Sequence, residues 1–315
     1  MIVMLLRYFR VLRYLKNRFI TERNLLSVPP LSYLLVFFLV PTLVMVLVAF
    51  REPGDYGGVM PLITQVGDKL HFSLTLDGFK FAFSNMLIWH LFLRSLGFSL
   101  LATVFCLLIG YPLAMLIAQS HKKYRDLLLL LVIIPFWSCF LIRVYAWMII
   151  LGPDSGVSVV VNTLLGFFGY ASVELLHTQV AVLICLVYIN LPFMVLPLYA
   201  NLEKHDHGLI EASRDLGATH LKTFLQITLP LSLPGILAGS ALVFIPCMGM
   251  FVVPELVGNT DSLMIGNLIK QQFLESMNWP VGSVTSIILT VLVLWVSALI
   301  AFGASKLGGM KYARQ

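Results

Sequence analysis

Six long apolar segments dominate this sequence of 315 residues and constrain its fold more than any other feature. They lie at approximately 31–50, 92–118, 127–151, 178–200, 227–253 and 284–305. A helix needs about 20 apolar residues to cross the hydrocarbon core of a bilayer. Because 59% of the residues are hydrophobic and only 11% are charged, the composition lies outside the soluble globular class. The sequence therefore predicts an all-α polytopic membrane protein with six transmembrane helices.

The distribution of lysine and arginine predicts how these helices are oriented. Fifteen of the 21 basic residues lie before the first segment, between the second and third, between the fourth and fifth, or after the sixth. They are Arg7, Arg10, Arg13, Lys16, Arg18, Arg23, Lys122, Lys123, Arg125, Lys204, Arg214, Lys222, Lys306, Lys311 and Arg314. Connections rich in these residues stay in the cytoplasm, so both termini are expected there. The net charge of +6 then reflects topology and contact with anionic lipid, not nucleic-acid binding.

The opposite side of the membrane is predicted to be acidic. Nine carboxylates outnumber four basic residues there. The carboxylates are Glu52, Asp55, Asp68, Asp77, Asp154, Glu174, Glu255, Asp261 and Glu275, and the basic residues are Arg51, Lys69, Lys80 and Lys270. An outer surface of this sign favours a cationic solute over an anionic one.

The chain is predicted to divide into three parts. Residues 1–28 form a basic amphipathic segment at the membrane interface, because arginines and apolar residues separate onto two helix faces. Residues 29–305 form the six-helix domain, and residues 306–315 form a cytoplasmic tail. In the long outer connection after the first helix, the alternation from Leu70 to Asp77 predicts a short strand.

The loop at 202–226 carries frequent charge between two apolar segments and is predicted to contain a short helix. Asp206 is a candidate N-cap, and Gly217 stands where a left-handed residue would end the helix. Four residues follow the i, i+3, i+4, i+7 spacing of one helix face: Leu209, Ala212, Ser213 and Leu216. We expect the small Ala212 and Ser213 to lie exposed, so that a partner surface can approach closely. The residues alone fit a docking helix and a helix resting on the membrane equally well.

Prolines inside the apolar segments predict interrupted helices, because proline removes a backbone donor. The clearest case is the run from Pro246 to Met250, which also contains Gly249. A broken helix near the middle of a membrane commonly lines a cavity, and we favour that interpretation here. The alternative is that neighbouring helices repair the lost hydrogen bonds.

Several motifs occur in a fixed order around the loop. They are Gly110-Tyr111-Pro112-Leu113-Ala114, Ile134-Pro135-Phe136-Trp137-Ser138, Arg143-Val144-Tyr145-Ala146-Trp147, Leu191-Pro192-Phe193, Glu211-Ala212-Ser213 followed by Gly217, Ile227-Thr228-Leu229-Pro230, Gly266-Asn267-Leu268-Ile269-Lys270-Gln271-Gln272-Phe273, and Asn278-Trp279-Pro280. Over residues 30–305 the set resembles the permease subunits of binding-protein-dependent ABC importers, specifically the first of the two paired permeases of spermidine/putrescine importers. Three positions depart from that pattern: Ser213 replaces a second alanine, Met250 replaces a frequent acid, and Asn259 replaces a glycine.

This resemblance implies the type I ABC importer permease (MetI-like) fold in the bacterial inner membrane. It implies a second permease, an ATPase dimer and a periplasmic polyamine-binding protein as partners, beside membrane lipid. No G-x-x-x-x-G-K-[ST] sequence occurs, so ATP and Mg²⁺ are expected on the ATPase, and no catalytic residue, cofactor or metal on this chain. The implied ATPase-docking residues are Leu209, Glu211, Ala212, Ser213, Asp215, Leu216, Gly217 and Pro230.

A polyamine carries protonated amines on an alkyl chain, so its pathway is expected to offer carboxylates and aromatic faces. The candidates are Trp137, Tyr145, Trp147, Tyr188 and Glu255. Packing or an aromatic belt at the membrane interface also explains the aromatic residues, and Glu255 also fits a solvated boundary position. Arg143, inside the third segment, argues mildly against a purely cation-attracting path.

Three other classes of protein remain open. A permease for ferric iron, sulfate or an amino acid would share the fold and the loop and differ only along the pathway. A proton-coupled carrier would place ionisable residues at mid-membrane, where only Arg143 is expected. A membrane enzyme is disfavoured because no H-E-x-x-H or G-x-S-x-G sequence occurs and the four cysteines form no C-x-x-C. His205 and His207 offer only two ligands, a poor metal site.

Overall fold

A computed structural model describes residues 22–54, 56–61, 63–66, 69–72 and 74–312 of the chain. The predicted basic interfacial helix falls mainly on residues 1–21, outside the described part. The described residues form a helical bundle with one small hairpin.

Helices make up most of the described structure. In chain order they are α1 Glu22–Leu34, α2 Val40–Ala49, α3 Asp77–Ser84, α4 Met86–Gln119, α5 Lys122–Ile133, α6 Phe140–Leu151, α7 Gly156–Phe167, α8 Gln179–Leu202, α9 His207–Asp215, α10 His220–Thr223, α11 Leu229–Met248, α12 Val252–Val257, α13 Ile265–Leu274 and α14 Trp279–Tyr312. Shorter π-helical turns occupy Leu35–Leu39 and Phe224–Thr228, and 3-10 turns occupy Ile134–Trp137 and Thr260–Ser262.

Six helical runs of the described chain are long and apolar enough to cross a membrane. They are Val28–Ala49, Met86–Gln119, Phe140–Phe167, Gln179–Leu202, His220–Met248 and Trp279–Ile300. The predicted number of transmembrane helices is therefore confirmed. Proline within the first and fifth runs coincides with helix irregularity, since each run combines α-helix with a π-helical turn.

The third apolar segment, predicted as one helix over 127–151, is divided. Pro135 lies in a 3-10 turn between α5 and α6. Arg125, near the start of α5, pairs with Glu203 just beyond α8, with 2.8 Å between Nη1 and Oε1. The other helix of the pair, α6, packs against α12, which follows the far end of α11. Helices α5 and α6 thus contact opposite ends of the bundle. The third membrane run, Phe140–Phe167, begins later than the predicted 127–151 and is itself divided by a turn at 152–155 between α6 and α7.

The outer connection after the first membrane run contains the one β-sheet found among the described residues. Strands β1 (Ile63–Val66) and β2 (Lys69–Phe72) pair antiparallel, with Ile63 opposite Phe72. The strand predicted over 70–77 is thus confirmed at its beginning and wrong at its end. Asp77 instead begins α3, where its backbone N–H donates to the Thr75 hydroxyl at 3.1 Å and an acidic side chain suits the helix dipole.

Glycines permit close contact among α4, α8 and α11. A β-carbon on Gly239 of α11 would lie 2.8 Å from the sulfur of Met194 in α8, and Gly110 of α4 faces the same methionine. Gly235, one turn before Gly239, lies against Asn201. Small residues spaced by four positions let membrane helices approach each other closely, which explains why these three helices form the centre of the bundle.

We expect Gly235→Ala to destabilise the protein by about 1–3 kcal/mol, because overpacking strains a close contact. The new methyl group would lie 2.7 Å from the β-carbon of Asn201. Gly97→Ala is the matched control, since a β-carbon on Gly97 meets nothing within 4 Å beyond its own helix backbone. The thermal unfolding midpoint in detergent measures both variants. Equal midpoints would contradict the packing described here.

Candidate functional site

The loop between α8 and α11 begins with a capped helix. The Asp206 carboxylate accepts a hydrogen bond from the Gly208 backbone N–H at 2.9 Å, which is the N-cap that the sequence predicted. Helix α9 follows, and Thr219 caps the short α10 by accepting from the Lys222 N–H at 3.4 Å. Local side-chain chemistry therefore defines the beginning of both loop helices.

The end of α9 is a Schellman motif built on Gly217. This glycine has φ of +77°, and its N–H donates to the Arg214 carbonyl at 2.8 Å. The Ala218 N–H donates to the Ser213 carbonyl at 3.1 Å, which completes the motif. A side chain on a left-handed residue costs about 1–2 kcal/mol, so glycine suits this position. The predicted role of Gly217 in ending the helix is confirmed.

Ser213 does not lie on an exposed face, so the expectation for that residue was wrong. Its side chain is buried, with 7% of the residue exposed. The hydroxyl donates to the Ile210 carbonyl at 2.8 Å and lies 2.8 Å from the Thr223 hydroxyl of α10, which is also buried. Ser213 therefore joins the two helices of the loop. An alanine at this position could not form the hydrogen bond to Thr223.

The exposed apolar residues of α9 form a narrower ridge than the sequence predicted. We define the loop ridge as Leu209, Ala212 and Leu216, which follow i, i+3, i+7 spacing and are all exposed. Leu216 is 88% exposed. The predicted docking residues Glu211 and Asp215 are exposed beside the ridge. The loop ridge therefore presents apolar side chains to the surroundings from a loop whose helix ends are fixed by hydrogen bonds.

The loop is attached to the bundle by an aromatic contact that follows α10. Phe224, in the π-helical turn after α10, packs edge-on against Tyr111 of α4, with ring centroids 5.6 Å apart. The Tyr111 hydroxyl lies 3.0 Å from the hydroxyl of Ser232 in α11. Pro230 directly follows the π-helical turn Phe224–Thr228, inside the continuous helical run His220–Met248. Movement of the loop ridge would therefore be transmitted to α4 and α11.

The fifth membrane run ends in an interruption at Gly249 and Met250, whereas Pro246, where the predicted break begins, remains inside α11. Helix α11 stops at Met248, and α12 starts at Val252 after Gly249 and Met250. A cleft of about 440 Å³ borders this break, lined by Gly249, Phe251, Gly266, Ile269, Lys270, Phe273, Leu274, Ser286, Leu289 and Thr290. The break and an adjacent cleft are both present, although Pro246 and Met250 are not among the residues lining that cleft.

The five residues predicted to line a solute pathway do not form one site. Trp147 and Tyr188 do meet, with ring centroids 5.3 Å apart, and border an apolar groove of about 430 Å³ between α4, α6 and α8. Trp137 is 79% exposed, and Tyr145 is also exposed. Glu255 instead borders a separate cavity of about 500 Å³ near the start of α4. The structure thus brings together one pair of the five.

Glu255 forms an ion pair with Lys270, to which the sequence analysis assigned no contact. Its Oε1 lies 2.5 Å from the Nζ of Lys270 in α13, and Glu275 Oε1 lies 3.7 Å from the same nitrogen. The hydrogen bond to Glu255 raises the pKa of Lys270 above its usual value, although partial burial opposes that rise. Lys270 therefore stays protonated at neutral pH. Sequence spacing gave no signal for this pair, because the two residues lie on different helices.

Arg143 of α6 is stabilised by aromatic rings. Its guanidinium carbon lies 5.0 Å from the ring centroid of Phe136 and 6.0 Å from that of Phe140. Phe136 in turn packs edge-on against Phe193 of α8. A cation over aromatic faces is a stable arrangement for a charge within an apolar segment. Within the described part of the chain, no group of three His, Cys, Asp or Glu side chains is arranged to hold a metal ion.

The apolar bundle with its projecting loop is the architecture of a polytopic membrane protein. The sequence pattern described as "Binding-protein-dependent transport system inner membrane component" matches residues 107–307, and the chain belongs to this family. It is a multi-pass protein of the inner membrane. Members of this family are the membrane components of ABC transporters and have no enzymatic activity of their own.

Named relatives match most of the chain. It is 43% identical over 267 residues to the spermidine/putrescine transport system permease protein PotB of Haemophilus influenzae, covering 83% of this chain and 86% of that protein. It is 41% identical over 278 residues to the protein of the same name from Escherichia coli, covering 88% and 95%. A bacterial ABC transporter involved in importing the acidic polysaccharide alginate matches in fold, with a TM-score of 0.63, 19% identity and coverage of 94% and 99%.

Cysteines placed at the exposed ridge and at the buried Ser213 are expected to react with thiol reagents at different rates. In a background whose native cysteines are replaced, we expect Leu216→Cys to react with a water-soluble maleimide at least about tenfold faster than Ser213→Cys, because a buried thiol reacts only after local opening. The native cysteines are Cys106, Cys139, Cys185 and Cys247. Labelling rates of the purified chain in detergent give the measurement. Equal rates would contradict the orientation of α9.

Proposed function

We propose that this chain is the first of the two paired permease subunits of an ABC importer that carries polyamines, spermidine or putrescine, from periplasm to cytoplasm. The observation that carries the proposal is the exposed loop ridge on a family member whose relatives are named as spermidine/putrescine permeases. In an ABC importer, the partner that would bind this ridge is the ATPase subunit.

The proposed orientation places both termini and the loop ridge in the cytoplasm. Lys122, Lys123 and Arg125 begin α5, and Lys204 follows α8, at the same end of the bundle. The Arg125–Glu203 ion pair joins these two basic connections. Positive residues of short connections remain on the cytoplasmic side, which supports this orientation.

The proposed mechanism is alternating access driven by a separate ATPase. An ATPase dimer binds ATP and Mg²⁺, and its closure moves the loop ridge as a rigid body. Phe224 and Tyr111 couple this movement to α4. Because α11 follows the π-helical turn Phe224–Thr228 directly, the movement also passes along α11 toward the helix break at Gly249. The second permease supplies the other half of the pathway, and a periplasmic binding protein delivers the solute.

A polyamine fits the chemistry of the outer side better than an anion does. The periplasmic connections of the proposed topology contain nine acidic residues and four basic ones. The Trp147–Tyr188 pair offers adjacent aromatic faces beside an apolar groove, suited to an ammonium group on an alkyl chain. A permease for iron, sulfate or an amino acid remains the rival, and the solute bound by the cognate binding protein distinguishes the two.

We expect Gly217→Pro to abolish polyamine uptake while the protein still inserts in the membrane. Proline cannot adopt the φ of +77° found at Gly217, and it lacks the backbone N–H that donates to the Arg214 carbonyl. Gly169→Pro is a matched control: Gly169 has φ of +79°, bonds the Gly166 carbonyl and lies in an outer loop. Uptake of radiolabelled spermidine into cells provides the measurement. Normal uptake by Gly217→Pro, or equal loss in both variants, would refute the docking role.

We expect Trp147→Leu to raise the KM for spermidine uptake about 2- to 30-fold, the equivalent of losing one cation–π contact of roughly 0.5–2 kcal/mol. Trp295→Leu is the control, because Trp295 is an exposed tryptophan of α14 outside the groove. Uptake kinetics in proteoliposomes with the binding protein separate KM from the maximal rate. An unchanged KM for Trp147→Leu would remove this residue from the pathway.

A further inference from the structure

Helix α13 lies directly against the interrupted backbone between α11 and α12. A β-carbon on Gly266 would come within 2.6 Å of the Gly249 carbonyl oxygen and 2.9 Å of the Met250 carbonyl oxygen. Side chains do not tolerate contacts this short with backbone atoms. Gly266 therefore allows α13 to touch the break itself.

Asn267, the next residue, makes specific hydrogen bonds at the same place. Its Nδ2 donates to the Phe251 carbonyl at 2.9 Å, and its Oδ1 accepts from the Met264 N–H at 3.1 Å. The side chain is buried. Because both ends of the amide are used, its orientation is fixed, and it links the beginning of α13 to the residue that precedes α12.

Lys270 lies one helical turn after Gly266 and makes a contact of a different kind. Its ion pair with Glu255 joins α13 to α12, and both side chains are partly open to water, at 26% and 40% exposure. Lys270 borders both the outer cavity that contains Glu255 and the cleft beside the helix break. A water-accessible ion pair is weak and screened by salt, so it opens more readily than the buried amide contacts.

The beginning of α13 is also anchored to α4. The Ile265 backbone N–H donates to the hydroxyl of Ser95 in α4 at 2.7 Å, and both residues are fully buried. Helix α13 therefore remains attached to α4 when the Lys270–Glu255 pair separates. The pair can open without detaching the whole helix.

We propose that α13 is a clamp on the break between α11 and α12, in which Asn267 is a positioning residue and the Lys270–Glu255 ion pair is the part that opens during transport. This inference rests on the proposed function and concerns the regulation of the same helices. Helix α11 runs from the docking loop to the break, so restraint at the break opposes movement at the loop. The closed clamp therefore suppresses ATP hydrolysis in the complex before the binding protein arrives.

The test is the rate of ATP hydrolysis by the complete reconstituted transporter without its binding protein. We expect Lys270→Gln and Glu255→Gln each to raise this basal rate by about threefold, since each removes the same water-accessible ion pair. The double variant is expected to match Lys270→Gln, because Lys270→Gln already removes the ion pair with Glu255 together with the longer contact with Glu275. Lys270→Arg keeps a cation and is expected to stay near the wild-type rate. Gln271→Ala, an exposed change on the same helix, is the control.

Salt and uptake measurements separate the clamp from a merely structural role. Raising the salt concentration is expected to increase the basal rate of the wild type but not of Lys270→Gln, because salt screens only an existing ion pair. Wild-type rates in both single variants, together with normal spermidine uptake by the wild type, would overturn the clamp alone. Failure of the wild-type transporter to take up polyamine would overturn the proposed function and the clamp with it.

Asn267→Asp tests the positioning residue. It keeps the size of the side chain but replaces the amide donor with a carboxylate that faces the Phe251 carbonyl. We expect a lower maximal rate of uptake with an unchanged KM, because the break is displaced and the solute contacts are not. Wild-type uptake by this variant would contradict the role of Asn267. If this buried change prevents assembly, the exposed Lys270 and Glu255 variants still decide the proposal.

Discussion

The close packing of α8 against α11 is the contact on which the rest of the structure depends. Gly235 and Gly239 let the two helices approach until Asn201 and Met194 touch the α11 backbone region. The loop that carries the ridge begins at the end of α8 and returns to the start of α11. Because these two ends are held together by packing, a loop of about two dozen residues acquires one position relative to the membrane helices.

Features set by neighbouring residues could be predicted from the sequence. The Asp206 cap and the positive φ of Gly217 depend on bonds within a few residues, and both were recognised from residue type and spacing. Six membrane runs were recognised because length and hydropathy suffice for that prediction. The exposure of Ser213 was mistaken because helical spacing does not reveal which part of a face a neighbour covers, and Thr223 covers it.

Features set by contacts between distant helices could not be predicted in this way. The candidates Trp147 and Glu255 share a suitable chemistry for a cation, yet they border different cavities. Asn267 and Lys270 belong to one of the motifs that carry the family resemblance, but their spacing along the chain does not show what they contact. Their importance follows only from the position of α13 against the helix break, where a lysine and an amide reach residues more than ten positions away.

Helix α11 runs from the loop that carries the ridge to the helix break, where we propose the clamp. The central claim is that an ATPase binds at the ridge. A photo-crosslinking amino acid at Ala212, in native membranes, tests that claim most directly because Ala212 lies exposed in the middle of the ridge. The same amino acid at Gly169, in a loop at the other end, is the reference position. We expect a crosslinked product that contains the ATPase subunit from Ala212 and none from Gly169. Absence of that product from membranes that still import polyamine would contradict it.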